Sequence, residues 1–300
     1  MSPKDTSAFE TVATVAVSIR SGDATLRGTL FTPGTQIRAA VILNGATGVD
    51  QGYYAAFAEW LSQAEGCAVL IYDYEGYGAS ATGHMRDSSA TMATWGIRNQ
   101  TDARQFLRKR FPDVEFWVIG HSLGALMLQL QPDLDHIDRI IAVASGPAYW
   151  HDHKMPFRLL TALFWYGHVP PLVAALGHLP RWAGLGADLP SGVYWQWRRW
   201  CTSPDFYRRD IGTILPEPST TPITARTKLV AIADDPVIPP SSVWKLMENF
   251  PNAPKRQLVL DPRDYGLGTV GHIGAFAKRN AVLWPQIVRD FTPFKKAIAP

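Results

Sequence analysis

Read from its N-terminal end, the chain first alternates apolar and polar positions, over residues 10–20 and again over 24–32. The turn signal Ser21-Gly22-Asp23 lies between the two stretches. A period of two predicts half-buried strands, and the tight turn makes them an antiparallel hairpin. The pattern then changes. Short continuous apolar runs begin at Ala39, Ala68, Glu115, Arg139, Lys228 and Arg256. Such runs suit strands covered on both faces. Between them, apolar residues recur at helical spacing, as in Tyr54, Phe57, Trp60 and Leu61 within 51–65. Further helices are expected over about 96–110 and, as an apolar helix, from Ser122 to about Leu130. The two last strands should each be followed by a helical pattern. Strand–helix alternation of this kind predicts an α/β fold: a mostly parallel β-sheet with helices on both faces, preceded by the antiparallel hairpin.

The alternation stops between roughly 148 and 212. Six of the 11 Trp residues fall there (Trp150, Trp165, Trp182, Trp195, Trp197 and Trp200), together with Pro156, Pro170, Pro171, Pro180, Pro190 and Pro204. This composition predicts a helical cap insertion at 148–212, set into a core domain made of 1–147 and 213–300. A cap lying over a substrate pocket would draw on Trp150, Trp165 and Trp195, with Thr47 from the core.

Composition narrows the function. With 46% hydrophobic and 18% charged residues in 300, the chain has ample core material. The net charge of +3 makes no case for nucleic acid or an acidic membrane surface, and Arg198-Arg199 and Lys295-Lys296 are only pairs. Two cysteines, Cys67 and Cys201, leave no CxxC motif. His151-Asp152-His153 is too sparse for a metal site, so no metal and no cofactor is expected. The N-terminal residues lack the apolar core of a secretory signal. The apolar region Pro156–Pro180 is interrupted by Gly167, His168 and Pro170-Pro171, which argues against a membrane span. A soluble, cytoplasmic protein is expected, with a homodimer through the cap as the oligomeric alternative.

The chemistry centres on Gly120-His121-Ser122-Leu123-Gly124, between the strand from Glu115 and an apolar helix. A serine at a tight strand-to-helix turn projects its hydroxyl from the sheet edge, and glycines on either side remove clashing side chains. A hydroxyl is a weak nucleophile without a base and an orienting carboxylate. Asp234-Asp235-Pro236-Val237-Ile238-Pro239 follows the strand from Lys228, and a glycine-rich loop carrying His272 follows the strand from Arg256. Each lies just past the C-terminal end of a parallel strand, on the edge where open α/β sheets hold their sites. Asp235 opens the Asp-Pro-Val-Ile-Pro run and is preferred over Asp234. His121 is assigned to packing or hydrogen bonding. Backbone N–H groups of Leu123 and Ala46 are expected to form the oxyanion hole, the latter from the loop Asn44-Gly45-Ala46-Thr47-Gly48.

Taken together, these residues and the turn Asp73-Tyr74-Glu75-Gly76-Tyr77-Gly78-Ala79-Ser80 resemble the α/β-hydrolase superfamily. The likeness runs over almost the whole chain and is nearest to the serine aminopeptidase-like and acylglycerol-lipase-like bacterial hydrolases. Asn44-Gly45 replaces the His-Gly of many members, and the elbow ends Gly124-Ala125 rather than Gly-Gly. A serine nucleophile separates the chain from the dehalogenase and epoxide-hydrolase branches. The resemblance implies a carboxylic-ester hydrolase, and a Trp-rich cap over an apolar pocket suits a small-molecule ester with a medium-chain, aromatic or otherwise hydrophobic acyl or alcohol group. A thioesterase, an amidase or peptidase, a C–C hydrolase or an acyltransferase could use the same residues. A non-catalytic ligand-binding protein is the alternative of a different class.

Overall fold

The computed structural model describes residues 11–289, so residue 10 and Lys295-Lys296 lie outside the described residues. The chain opens with β1 (Ala13–Ser21) and β2 (Ala24–Thr32), paired antiparallel in register from Ala13–Thr32 to Ser21–Ala24. β3 (Ala39–Asn44), α1 (Ala55–Glu65) and β4 (Cys67–Tyr72) follow. Then come α2 (Gln100–Arg110), β5 (Glu115–His121), α3 (Leu123–Leu126) and β6 (Arg139–Val143).

Among the described residues the sheet has eight strands in the order β1-β2-β4-β3-β5-β6-β9-β10, where β9 is Arg226–Ile232 and β10 is Lys255–Leu260. The hairpin joins β4 antiparallel, and β4, β3, β5, β6, β9 and β10 run parallel. Every residue of β3 is buried because both faces are covered. Val41 and Leu43 point to the side packed by Phe57 and Leu61 of α1. Ala40 and Ile42 point to the side packed by Ala103 and Leu107 of α2.

Between β6 and β9 lie α4 (Phe157–Tyr166), α5 (Val169–Leu176) and α6 (Ser191–Cys201). The pattern of the sequence had announced helices and turns here. The structure adds a two-stranded antiparallel ribbon of β7 (His178–Leu179) and β8 (Leu189–Pro190). After β9 comes α7 (Pro240–Lys245), and α8 (Trp284–Val288) closes the described chain on the α1 face.

Three expectations need correction. The helix expected from Ser122 to Leu130 stops at Leu126, because Met127 leaves helical geometry (φ −114°, ψ 16°), and only a short 3-10 turn follows. β10 is an edge strand covered on one side. Of its six residues only Leu260 is buried, and Val259 is 47% exposed. Only short 3-10 turns, the first at Pro262–Tyr265, separate β10 from α8. Cys67 and Cys201 are both buried and free.

Candidate active site

β5 ends at His121, and the chain reverses through Ser122 into α3. Ser122 has φ 54°, ψ −112°, a strained conformation for a residue with a side chain. The tightness of the turn explains its glycines. A Cβ at Gly120 would stand 2.4 Å from Ala125 N, and one at Gly124 would stand 2.1 Å from Asn44 O. Ser122 N–H donates to Val143 O at 3.0 Å, and the Ser145 hydroxyl donates to Ser122 O at 2.5 Å. Asn44 Nδ2 donates to Gly124 O at 3.1 Å, while its Oδ1 accepts from Tyr72 Oη at 2.7 Å. Asn44 therefore ties the end of β3 to the start of α3.

Asp235 stands past the end of β9 with its side chain fully buried. Its Oδ1 accepts from Val237 N (2.7 Å) and Ile238 N (2.9 Å), which leaves Oδ2 to face His272 Nδ1 at 2.8 Å. A carboxylate can only accept, so Nδ1 carries the proton and Nε2 is left with a lone pair. That lone pair faces Ser122 Oγ at 3.1 Å. Asp234 turns the other way, and its carboxylate accepts from Val270 N and Gly271 N, both at 2.9 Å. It clamps the loop that carries His272, a task its position beside Asp235 did not announce.

His121 and Tyr54 join a second buried chain. The carbonyl of His272 lies 2.9 Å from His121 Nε2 and can only accept, so Nε2 bears the proton. His121 Nδ1 then accepts from the Tyr54 hydroxyl at 2.8 Å, and Tyr54 Oη accepts from Ala46 N–H at 2.8 Å. Burial, followed by the nearby His272, pushes the His121 imidazole down to about 3, so it stays neutral.

This chain corrects the assignment of Ala46. Its N–H is already taken by Tyr54 and the residue is buried, so it does not face the serine. The next N–H along, that of Thr47, has no acceptor among the described residues, and Thr47 lines the cavity at Ser122. Leu123, in the first turn of α3, likewise has no helical acceptor for its N–H.

The cavity above Ser122 and His272 has a volume of about 210 Å³. Thr47, Met92, Leu126 and Val237 line it from the sheet side, and Leu185, Trp197 and Phe206 from the helical insertion. Trp150, Trp165 and Trp195 are absent from its walls. Trp150 packs on His151 and Tyr166, and Trp165 is buried among Phe164, Tyr194 and Trp197. Trp195 is 38% exposed. The density of Trp pointed to the right segment, but only the rotation of α6 selects Trp197. His151 stacks on Tyr149 while His153 packs on Phe157. Among the described residues no group of three or more His, Cys, Asp or Glu side chains could hold a metal.

Residues 35–183 match the family model described as serine aminopeptidase, S33. Among curated protein sequences none matches the chain. An esterase from Pyrococcus furiosus superposes with a TM-score of 0.57 at 16% identity, covering 92% of this chain and 88% of its own. An α/β serine hydrolase homologue from Coxiella burnetii gives 0.53 at 14% identity, with 92% and 96% covered. The N-formylmaleamic acid deformylase of Pseudomonas putida gives 0.54 at 15% identity, with 90% and 98% covered. The sheet order and these folds agree: the chain has the α/β-hydrolase fold, and residues 35–183 resemble the serine aminopeptidase family.

Proposed function

We propose that this protein is a serine hydrolase that cleaves carboxylic esters through an acyl-enzyme, with Ser122, His272 and Asp235 as its catalytic triad. The observation that carries this reading is the unbroken hydrogen-bond chain Asp235–His272–Ser122, which ends in a small, mostly apolar cavity. Ser122 Oγ attacks the acyl carbon while His272 Nε2 takes its proton, and Asp235 stabilises the imidazolium. The N–H groups of Leu123 and Thr47 receive the negative charge that develops on the carbonyl oxygen. Each such donor is worth about 3 kcal/mol in the transition state. His272 then gives its proton to the departing alcohol. A water, deprotonated by the same nitrogen, attacks the acyl carbon and frees Ser122. Thr47, Trp197 and Phe206 bound the acyl group.

The test is hydrolysis of p-nitrophenyl esters of increasing chain length by wild type and Ser122→Ala, with fluorophosphonate labelling of both. Turnover that falls by about 10⁴-fold or more in the variant, together with labelling of the wild type alone, is the expected result. If Ser122 is labelled but no ester is cleaved, the nucleophile stands and the bond type is wrong. If the wild type is neither labelled nor active, the triad assignment fails.

A further inference from the structure

α4 is apolar on both of its sides. Phe164 and Trp165 turn inward against Tyr194 and Trp197. Pro156, Leu159, Leu160 and Leu163 recur at i, i+3, i+4 and i+7 and form a second stripe, which faces solvent. Leu159 and Leu160 are each 60% exposed and Leu163 is 55% exposed. A surface helix ordinarily turns polar residues outward, and one that is apolar all round needs a covering. Met155, just before the helix, and Trp182, on a neighbouring turn, are also exposed. The turn carrying Trp182 leans on the same helix, since a Cβ at Gly184 would lie 3.5 Å from the Phe164 ring.

The segment that carries the patch is basic, with Asp152 and Asp188 just outside it. Residues 153–187 contain Lys154, Arg158 and Arg181 and no Asp or Glu. The whole-chain excess of +3 conceals this local bias. Arg181 pairs with Asp188 beyond the segment at 3.6 Å, whereas the Arg158 guanidinium bonds the imidazole of His151 and lies over the Trp150 ring.

We infer that this face docks on an anionic phospholipid surface, with the leucine stripe, Met155 and Trp182 in the acyl boundary and Lys154 and Arg158 against the head groups. The geometry is that of a helix lying in the interface. Phe157–Leu176 is long and apolar enough to cross a bilayer, but it breaks at Gly167 and His168 into two helices. The ten residues of α4 reach about 15 Å, half of a hydrocarbon core of about 30 Å. A second copy packed symmetrically on the patch would set Lys154 and Arg158 against like charges. Leu185 lies on the same turn as Trp182, is itself exposed, and lines the cavity at Ser122. Docking therefore brings the cavity mouth to the lipid. The inference does not depend on the proposed reaction, because binding is read without turnover.

The experiment is flotation of the full-length protein with phosphatidylcholine vesicles and with vesicles of equal phosphatidylcholine and phosphatidylglycerol. The wild type is expected to favour the anionic vesicles by about fivefold per basic residue engaged. Lys154→Glu/Arg158→Glu should abolish that preference. Leu159→Ser/Leu160→Ser/Leu163→Ser should lose binding to both vesicles, with an unchanged melting temperature showing that it folds. A wild type that floats with neither vesicle overturns the inference, as does binding that both variants retain. So does a wild-type dimer in light scattering that the triple leucine variant converts to monomer, which would make the patch a face between copies.

Discussion

His121 was legible in the sequence only as a neighbour of the candidate nucleophile, yet its ring links three segments that the site needs. It holds the carbonyl of His272 and, through Tyr54, the N–H of Ala46. Its imidazole is held down at about 3 by burial, while in the unfolded chain it titrates near its ordinary value of 6.5. Between these values the unfolded chain binds one proton more than the folded one. The stabilisation is thus complete above about 6.5 and is lost as the pH falls towards 3. Urea unfolding at a series of pH values should show wild-type stability dropping on acidification, with His121 accounting for up to about 1.4 kcal/mol per pH unit. His121→Gln should have a shallower acid limb by that amount. Parallel profiles for the two proteins would mean that His121 is not kept neutral. Ala46 illustrates the limit of reading one residue at a time. Small size and loop position both fitted an oxyanion donor, but the Tyr54 hydroxyl takes its N–H, and that contact exists only in three dimensions.

At the scale of elements, strands were easier to read than helices. The run in β3 is apolar at every position because both faces are covered, and a continuous run reports that condition directly. The same reading failed for β10. An apolar run records that a strand can be buried, not how many neighbours the sheet order gives it, and among the described residues β10 pairs only with β9. The insertion was visible as a break in the pattern, but its fastening was not. Asp210, fully buried, accepts from Arg199 Nε at both oxygens (2.9 and 3.0 Å), from Arg199 Nη2 at 2.7 Å and from Trp200 Nε1 at 2.8 Å. Burial alone would raise this carboxyl, but the bonds from Arg199 and Trp200 outweigh it and hold it below its ordinary value. These bonds pin α6 to the 3-10 turn Phe206–Asp210, whose first residue lines the cavity. Arg199 is nearly half exposed, so solvent screens its share, and the unpaired Trp200 N–H and the lost carboxylate set the cost. Asp210→Ala should lose about 2–4 kcal/mol in urea unfolding. Limited proteolysis of the variant should cut first within the insertion. Unchanged stability, or first cleavage within the sheet, would contradict this account of what fastens the insertion.

For the whole molecule, the question is how the sheet and the insertion together set the size of the substrate. Sequence order alone carried the acid, the histidine and the serine to one edge, because each follows a parallel strand. The enclosure depends on the phase of α6, which an abundance of aromatics leaves undetermined. As built, the space over Ser122 is about 210 Å³, below the 300–1,000 Å³ of most ligand clefts. On the proposed ester reaction, this space suits a short acyl group rather than the medium-chain one expected from the Trp-rich cap. Each methylene buried contributes about 0.8 kcal/mol, so kcat/KM should climb up to about fourfold per carbon until the chain meets the wall. Beyond that length it should fall, because the walls are close-packed and overpacking is costly. Trp197 forms part of that wall and is held edge-on against Trp165. Trp197→Ala should therefore move the turning point of the p-nitrophenyl ester series to longer chains while the rates on acetate change little. Melting temperature separates a widened cavity from a collapsed insertion: the first keeps the acetate rate and a folded protein, and the second loses both. A turning point that stays at the same chain length in a folded Trp197→Ala protein would mean that the acyl chain leaves the site along another wall.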